Sequence, residues 1–215
     1  MHWEWLGRAP YGETLARMRA RREEVIAGRA PDVLWLCEHG PVVTLGKGAV
    51  AGDVLLAPEL LAARGIELHR VERGGKATYH GPGQLVGYPI AHVGGGGVGV
   101  ARFVARLGEA LAAWCRARGA DARFDLRCTG VFCPGGKIAA LGIHVRRGVA
   151  MHGFALNLDL DLDRVAGPWG TIVPCGDATR AVTSLAAETG RPAPAPGEAA
   201  PSLAEAVSGA LRRSA

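Results

Sequence analysis

The sequence predicts an α+β domain built on a sheet. Apolar, β-branched runs cluster along the chain, and helical patterns interrupt them at only a few places. No sustained strand–helix alternation appears of the kind that builds a doubly wound parallel sheet. At 215 residues, 48% apolar and 21% charged, the chain suits one globular domain that buries its core without disulfide or metal staples.

The elements follow in order. Residues 12–27 carry Leu15, Met18, Val25 and Ile26 among many charges and read as an amphipathic helix. Residues 32–39 and 42–46 read as strands around a Gly40-Pro41 turn, and a short helix over 57–64 stops at Gly65. A strand at 67–73 runs into a glycine-rich loop at 74–84, followed by a strand at 85–93. After GGGGVG comes a helix over 99–118, then strands at 123–127, 130–134, 137–145 and 149–159, the last two joined by a hairpin turn at Arg147-Gly148. The tail has a Pro/Ala linker at 191–201 and a short terminal helix, so the chain divides into a main domain, 1–190, and an appendage, 191–215.

Composition narrows the function. No window approaches ~18 uninterrupted apolar residues, so no membrane span is expected. The opening MHWEWLGRAPYGE lacks a basic region followed by an apolar stretch, which points to a cytoplasmic protein. The net charge is +5, and only three of the 25 basic residues are lysines: Lys47, Lys76 and Lys137, each directly after a glycine. The positive balance suits an acidic partner, but basic runs with interleaved aromatics are absent and nucleic acid is not the expected one. The five cysteines are irregularly spaced, and the C-x4-C pair Cys128/Cys133 has no second pair at zinc spacing. No metal site and no diffusible cofactor are expected.

Gly94 to Gly99 satisfies the dinucleotide pattern G-x-G-x-x-G between a predicted strand and helix, but a glycine run satisfies many patterns, and Pro89 is awkward in a central parallel strand. No lysine stands in a phosphate-binding P-loop. The stronger stretch is Arg73-Gly74-Gly75-Lys76-Ala77-Thr78-Tyr79-His80-Gly81-Pro82-Gly83-Gln84, where glycines permit close backbone approach and several polar groups concentrate. A second, Gly135-Gly136-Lys137-Ile138-Ala139-Ala140-Leu141-Gly142, sets a lysine at the mouth of an apolar strand, which by itself reads as a solvated strand-start residue unless lost hydration suits it to proton transfer. A third, Ile172-Val173-Pro174-Cys175-Gly176, holds a thiol in a Pro/Gly turn, where it reads equally as an uncrowded nucleophile or as a buried structural cysteine.

These segments, with GIHVRRGVAMHGFALN, closely resemble the bacterial octanoyltransferases of protein lipoylation, and EHGPVVTLGKG resembles the family's N-terminal His-containing strand–turn. The resemblance covers residues 30–185. It implies a mixed sheet flanked by helices, like the catalytic domain of biotin and lipoate protein ligases. It also implies transfer of an octanoyl group from acyl carrier protein to a lysine of lipoyl domains. Cys175 matches the acyl-accepting cysteine and Lys137 its partner. Arg73, Gly74, Gly75, Lys76, Ala77, Thr78, Tyr79 and His80 match the loop that holds the acyl thioester. Ala140, Leu141 and Gly142 match a second acyl-contacting segment, and Gly153, Phe154 and Ala155 a third, with His152 beside it in a supporting position. The alternatives are an ATP-dependent lipoate or biotin ligase on the same fold, and a dinucleotide-binding module using Gly94–Gly99.

Overall fold

The computed structural model describes residues 1–94, 97–163, 167–173 and 181–212. In chain order they form β1 (His2–Arg8), α1 (Tyr11–Ile26), β2 (Val33–Glu38), β3 (Val42–Leu45), α2 (Pro58–Ala63), β4 (Glu67–Arg70), β5 (Ala77–His80), β6 (Gln84–Ile90) and α3 (Gly97–Arg116). Then follow β7 (Arg123–Asp125), β8 (Gly130–Cys133), β9 (Gly136–Arg146), β10 (Val149–Asn157), α4 (Leu185–Thr189) and α5 (Pro196–Arg212). Single 3-10 turns occupy Ala51–Asp53 and Pro168–Thr171.

Seven strands form one mixed sheet in the order β1-β2-β6-β10-β9-β8-β7, and three form a second, β4-β3-β5. Only β1 with β2, and β3 with β4, run parallel. The large sheet is apolar on both faces, because alternate residues serve two cores. Leu34, Leu36, Leu85, Ala150, Phe154 and Leu156 pack against α3 and α5, on Leu107, Leu111, Leu203 and Val207. Val33, Trp35, Val86, Tyr88, Met151 and Ala155 pack on the other face against Leu15 and Met18 of α1. A third cluster joins Val43, Leu45, Ala77 and Tyr79 of the small sheet to Leu61 of α2, Trp169 and Ile172.

The α+β expectation stands, with local corrections. The strand β1 was not anticipated, since an edge strand with half-exposed residues shows little apolar alternation. Gly40-Pro41 does not close a hairpin: β2 and β3 belong to different sheets. The glycine-rich stretch predicted as a loop contains β5, whose Thr78, Tyr79 and His80 pair antiparallel with β3. The Arg147-Gly148 turn is as expected, with φ of +48° and +78° at its two central residues. The dinucleotide alternative fails on topology. The strand before Gly94, β6, has two antiparallel neighbours, so no βαβ unit exists there, and Gly95-Gly96 lie outside the described residues.

At the C-terminus α5 begins at Pro196, inside the stretch predicted as linker, and packs on α3 and β2. Its Ala199, Ala200, Leu203, Ala204 and Val207 are at most 2% exposed. This helix is therefore a wall of the main core, and the chain beyond residue 190 packs into that core instead of standing apart as an appendage. No helix among the described residues is long and apolar enough to cross a membrane. Leu203→Ala should destabilise the fold by ~2–5 kcal/mol, the usual range for a buried leucine, and truncation after residue 190 should abolish cooperative unfolding. Thermal and urea denaturation followed by circular dichroism measures both.

Candidate functional site

A cleft of about 450 Å³ opens between β5 on one side and β6, β9 and β10 on the other, under the loop of Arg73 to Lys76. It exists because backbone comes close to backbone where side chains are missing. Gly142 of β9 pairs with Gly153 of β10. A Cβ on Gly142 would lie 3.0 Å from the Gly74 carbonyl oxygen, and one on Gly153 would collide with the Gly87 carbonyl and the Pro89 ring. The overhanging loop is stitched to β9 by the Gly74 N–H, which donates to the Ile143 carbonyl at 3.0 Å.

Arg73 holds that loop in place. The residue is only 8% exposed, and its guanidinium donates to the Thr44 carbonyl at 2.7 Å, to the Thr44 hydroxyl at 2.8 Å and to the Gly74 carbonyl at 3.0 Å. The Gly46–Gly48 turn supports it from behind, with the Lys47 N–H donating to the Arg73 carbonyl and the Gly48 N–H to the Gly75 carbonyl. Gly74, Gly75, Lys76 and Ala77 line the cleft. Along β5 alternation then decides: Thr78 and His80 point in, while Tyr79 points out, its ring 5.7 Å from that of Trp169. Tyr79, named from the sequence with its neighbours, does not line the cleft.

Lys137 reaches the cleft through a β-bulge. Gly130 and Val131 pair with Ala140 and Ala139, but Phe132 and Cys133 pair with Lys137 and Gly136, leaving Ile138 as the extra residue. Ile138 and Ala139 both enter the helix-side core, so Lys137 comes to share a face with Ala140 and Gly142 despite its odd spacing from Ala140. Lys137 is only 7% exposed; its ammonium donates to the Cys128 carbonyl at 3.2 Å and lies 5.1 Å from the centre of the Phe132 ring. Cys175 lies outside the described residues, but the chain on either side of that segment is tied down. The Val173 N–H donates to the Asp53 carbonyl at 2.9 Å, and the Ala181 carbonyl accepts from the Lys137 N–H at 3.0 Å.

A buried polar chain fixes His80. The Thr183 carbonyl accepts from Asn157 Nδ2 at 2.9 Å, Asn157 Oδ1 accepts from Gln84 Nε2 at 2.9 Å, and Gln84 Oε1 therefore accepts from His80 Nδ1 at 2.7 Å. These partners assign the proton to Nδ1 and leave Nε2 as an acceptor. Burial, with the nearby His39, pushes the His80 pKa down to about 3, so it is neutral and a weak base. His39, fully buried behind it, is likewise held neutral by burial; its Nδ1 donates to the Ala9 carbonyl and its Nε2 accepts from the Tyr88 hydroxyl at 2.8 Å. His152 lines the cleft at φ +59° in mid-strand, with its buried Nε2 lacking a hydrogen-bond partner. That atom stands 3.8 Å from Glu72, which Arg19 grips through two hydrogen bonds of 3.0 and 2.8 Å. Burial lowers the His152 pKa; the ring and Arg19 together hold Glu72 well below the usual carboxylate range.

Except for Tyr79 and Cys175, the site residues named from the sequence all line this one cleft: Lys137, Ala140, Leu141, Gly142, His152, Gly153, Phe154 and Ala155 complete the set. Sequence reasoning missed Tyr11, Val86, Tyr88, Val104, Arg127, Cys128, Thr129 and Ile143. Most sit in ordinary helix or strand patterns, and only the pairing of sheets shows that they face the same space. Among the described lining residues Arg73, Lys76, Arg127 and Lys137 are cationic and none is a carboxylate. An apolar floor of Val86, Val104, Leu141, Phe154 and Ala155 suits an aliphatic chain, and the cationic rim suits an anionic carrier.

Comparison with known proteins agrees with this geometry. The family described as the lipoyl protein ligase A/B catalytic domain matches residues 10–207. An octanoyltransferase of Acidobacterium capsulatum is 43% identical over 196 residues, covering 85% of this chain and 78% of that protein. In fold, a lipoate protein ligase from T. acidophilum with bound lipoic acid, described as putative, superposes with a TM-score of 0.71 at 19% identity, covering 98% of this chain and 86% of that one. The biotin protein ligase of Leishmania major in complex with biotinyl-5-AMP superposes with a TM-score of 0.54 at 13% identity, covering 99% and 74%. The chain belongs to the lipoyl protein ligase A/B catalytic-domain family and, within it, to the octanoyltransferases.

Proposed function

We propose that this octanoyltransferase takes its acyl group from the thioester of an acyl carrier protein, holds it on Cys175 and passes it to a lysine of a lipoyl domain. The observation that carries the reading is the placement of Lys137 by the β9 bulge in a cleft with an apolar floor, with Ala181, just beyond the segment that holds Cys175, tied to Lys137 itself. The ligase alternative shares the fold, but the sequence relatives carry the octanoyltransferase name.

In the proposed route Lys137 accepts the Cys175 proton, and the thiolate attacks the carrier thioester. The tetrahedral intermediate collapses, the pantetheine thiolate leaves, and the Lys137 ammonium protonates it. The neutral Lys137 amine then takes a proton from the incoming lipoyl-domain lysine as that amine attacks the acyl-enzyme. The amide forms, Cys175 leaves as thiolate and the Cys175–Lys137 pair is restored. Amide formation from a thioester is downhill, so no nucleotide is consumed. The Cys128 carbonyl orients the Lys137 ammonium. His80, with its proton committed to Gln84 and a pKa of about 3, positions rather than shuttles.

Intact-mass analysis after mixing with octanoyl carrier protein should show one octanoyl adduct that Cys175→Ala lacks; an adduct that persists in that variant sinks the acyl-cysteine route. Lys137→Arg separates charge from proton transfer. Arginine keeps the positive charge but holds its proton at neutral pH. It should preserve alkylation of Cys175 by iodoacetamide better than Lys137→Ala, while transfer falls ~10²–10⁴-fold in both variants. Near wild-type transfer by the arginine form would leave Lys137 with charge alone.

A further inference from the structure

Residues paired across antiparallel strands share a face, so the floor of the cleft can be followed from strand to strand in rows. On one flank stand Lys137, Asn157 and Gln84; Asn157 pairs with Gln84 and bonds to it through the side chains at 2.9 Å. On the other flank Gly142 pairs with Gly153, and the backbone of Gly74 is seated there. Between the two runs an apolar lane. Ala140 of β9 pairs with Ala155 of β10, Ala155 with Val86 of β6, and Val86 with Cys37 of β2.

The lane is open over β9 and β10, where its side chains are single methyls, and closes at β6. Val86 lines the cleft; Cys37, the next residue in the row, is fully buried and does not. Tyr88 and Tyr11 also line the cleft at this end and stiffen it. The Tyr88 hydroxyl is held by His39 Nε2 at 2.8 Å, and the Tyr11 ring stands 5.2 Å from that of His39 and 6.0 Å from that of His80. At the opposite end the Lys137 side chain leans away from the lane, over Gly130 of β8, where a Cβ would lie 2.6 Å from Lys137 Cε. The lane therefore begins beside the Lys137 ammonium with nothing larger than a methyl in its floor before Val86.

Its length matches one acyl chain. From β9 to β6 is two strand spacings, about 9.6 Å. An extended eight-carbon acyl chain, its C–C bonds of ~1.5 Å in zigzag, spans roughly 9 Å from carbonyl carbon to methyl. We propose that Val86 determines acyl length: the chain crosses β9 and β10 over Ala140 and Ala155, and its methyl end stops against Val86. The inference rests on the acyl-transfer reading above and adds to it the residue that measures the substrate.

The test measures kcat/KM of the full-length enzyme for hexanoyl, octanoyl and decanoyl carrier protein, with a lipoyl domain as acceptor. Val86→Ala lengthens the lane and should raise the decanoyl-to-octanoyl ratio by about tenfold or more, the usual value of a methylene that gains or loses its place in an apolar pocket. Ala155→Val blocks the lane one strand earlier and should raise the hexanoyl-to-octanoyl ratio by a similar factor. Val86→Ile keeps a β-branched residue, adds one methylene to the wall and should move preference the same way as Ala155→Val. A loss of stability lowers activity on all three lengths alike and leaves these ratios where they were. Any one variant that folds and still transfers acyl groups decides the matter: ratios unchanged from wild type overturn Val86 as the stop while the transfer reading stands. No transfer of octanoyl by the wild type overturns the transfer reading and this inference with it.

Discussion

The structure depends on one close approach, the seating of the Arg73–Lys76 loop on the Gly142–Gly153 pair. Any side chain at Gly142 would meet the Gly74 carbonyl, and any at Gly153 would meet the next strand. The small sheet therefore docks on the large one through backbone, by way of the Gly74-to-Ile143 hydrogen bond, and a space is left beside the joint. A buried guanidinium secures the geometry. Arg73 leaves water with oxygens of Thr44 and Gly74 arranged around it, as a buried charge requires.

Around that joint the protein tolerates local strain to aim particular side chains. Strict alternation would place His152 beside Ala150 and Phe154, facing α3. Its left-handed backbone turns it instead toward Glu72 and Arg19. Opposite it stands Pro89, which has no N–H to give; the β6–β10 ladder lapses there, stopping at Phe154–Gly87 and resuming at Val149–His92. Such a backbone costs of order 1–3 kcal/mol, offset by the surrounding ladders and packing. The β9 bulge does the same for Lys137. In both strands an irregularity of one residue decides which face carries the polar group.

The scarcity of lysine acquires a structural meaning. Lys137 lies in the cleft, Lys76 lines it, and the Lys47 backbone supports Arg73 from behind. Lys76 also stands 3.9 Å from the buried Asp53, whose carbonyl holds Val173 on the approach to Cys175. The three lysines thus gather around a single space, although Lys76 and Lys137 stand 61 positions apart in the chain.

The amino-acid sequence alone determined the α+β class, the main strands, the Arg147-Gly148 hairpin and the segments that converge on the cleft. It could do so because these rest on local signals: period-two alternation, turn chemistry at glycine, and polar groups gathered in glycine-rich stretches. It also marked Gly142 and Gly153, though not what they meet. Only tertiary structure decided that β2 and β3 part company into different sheets, that β5 forms within an apparent loop, and that α5 walls the core. It also turned Tyr79 outward and brought Tyr11, Tyr88 and Arg127 to the cleft. Each of those outcomes depends on a partner distant in sequence, so no local pattern records it. The bulge at Ile138 is the sharpest case: alternation read along β9 would separate Lys137 from Ala140, and pairing with β8 unites them.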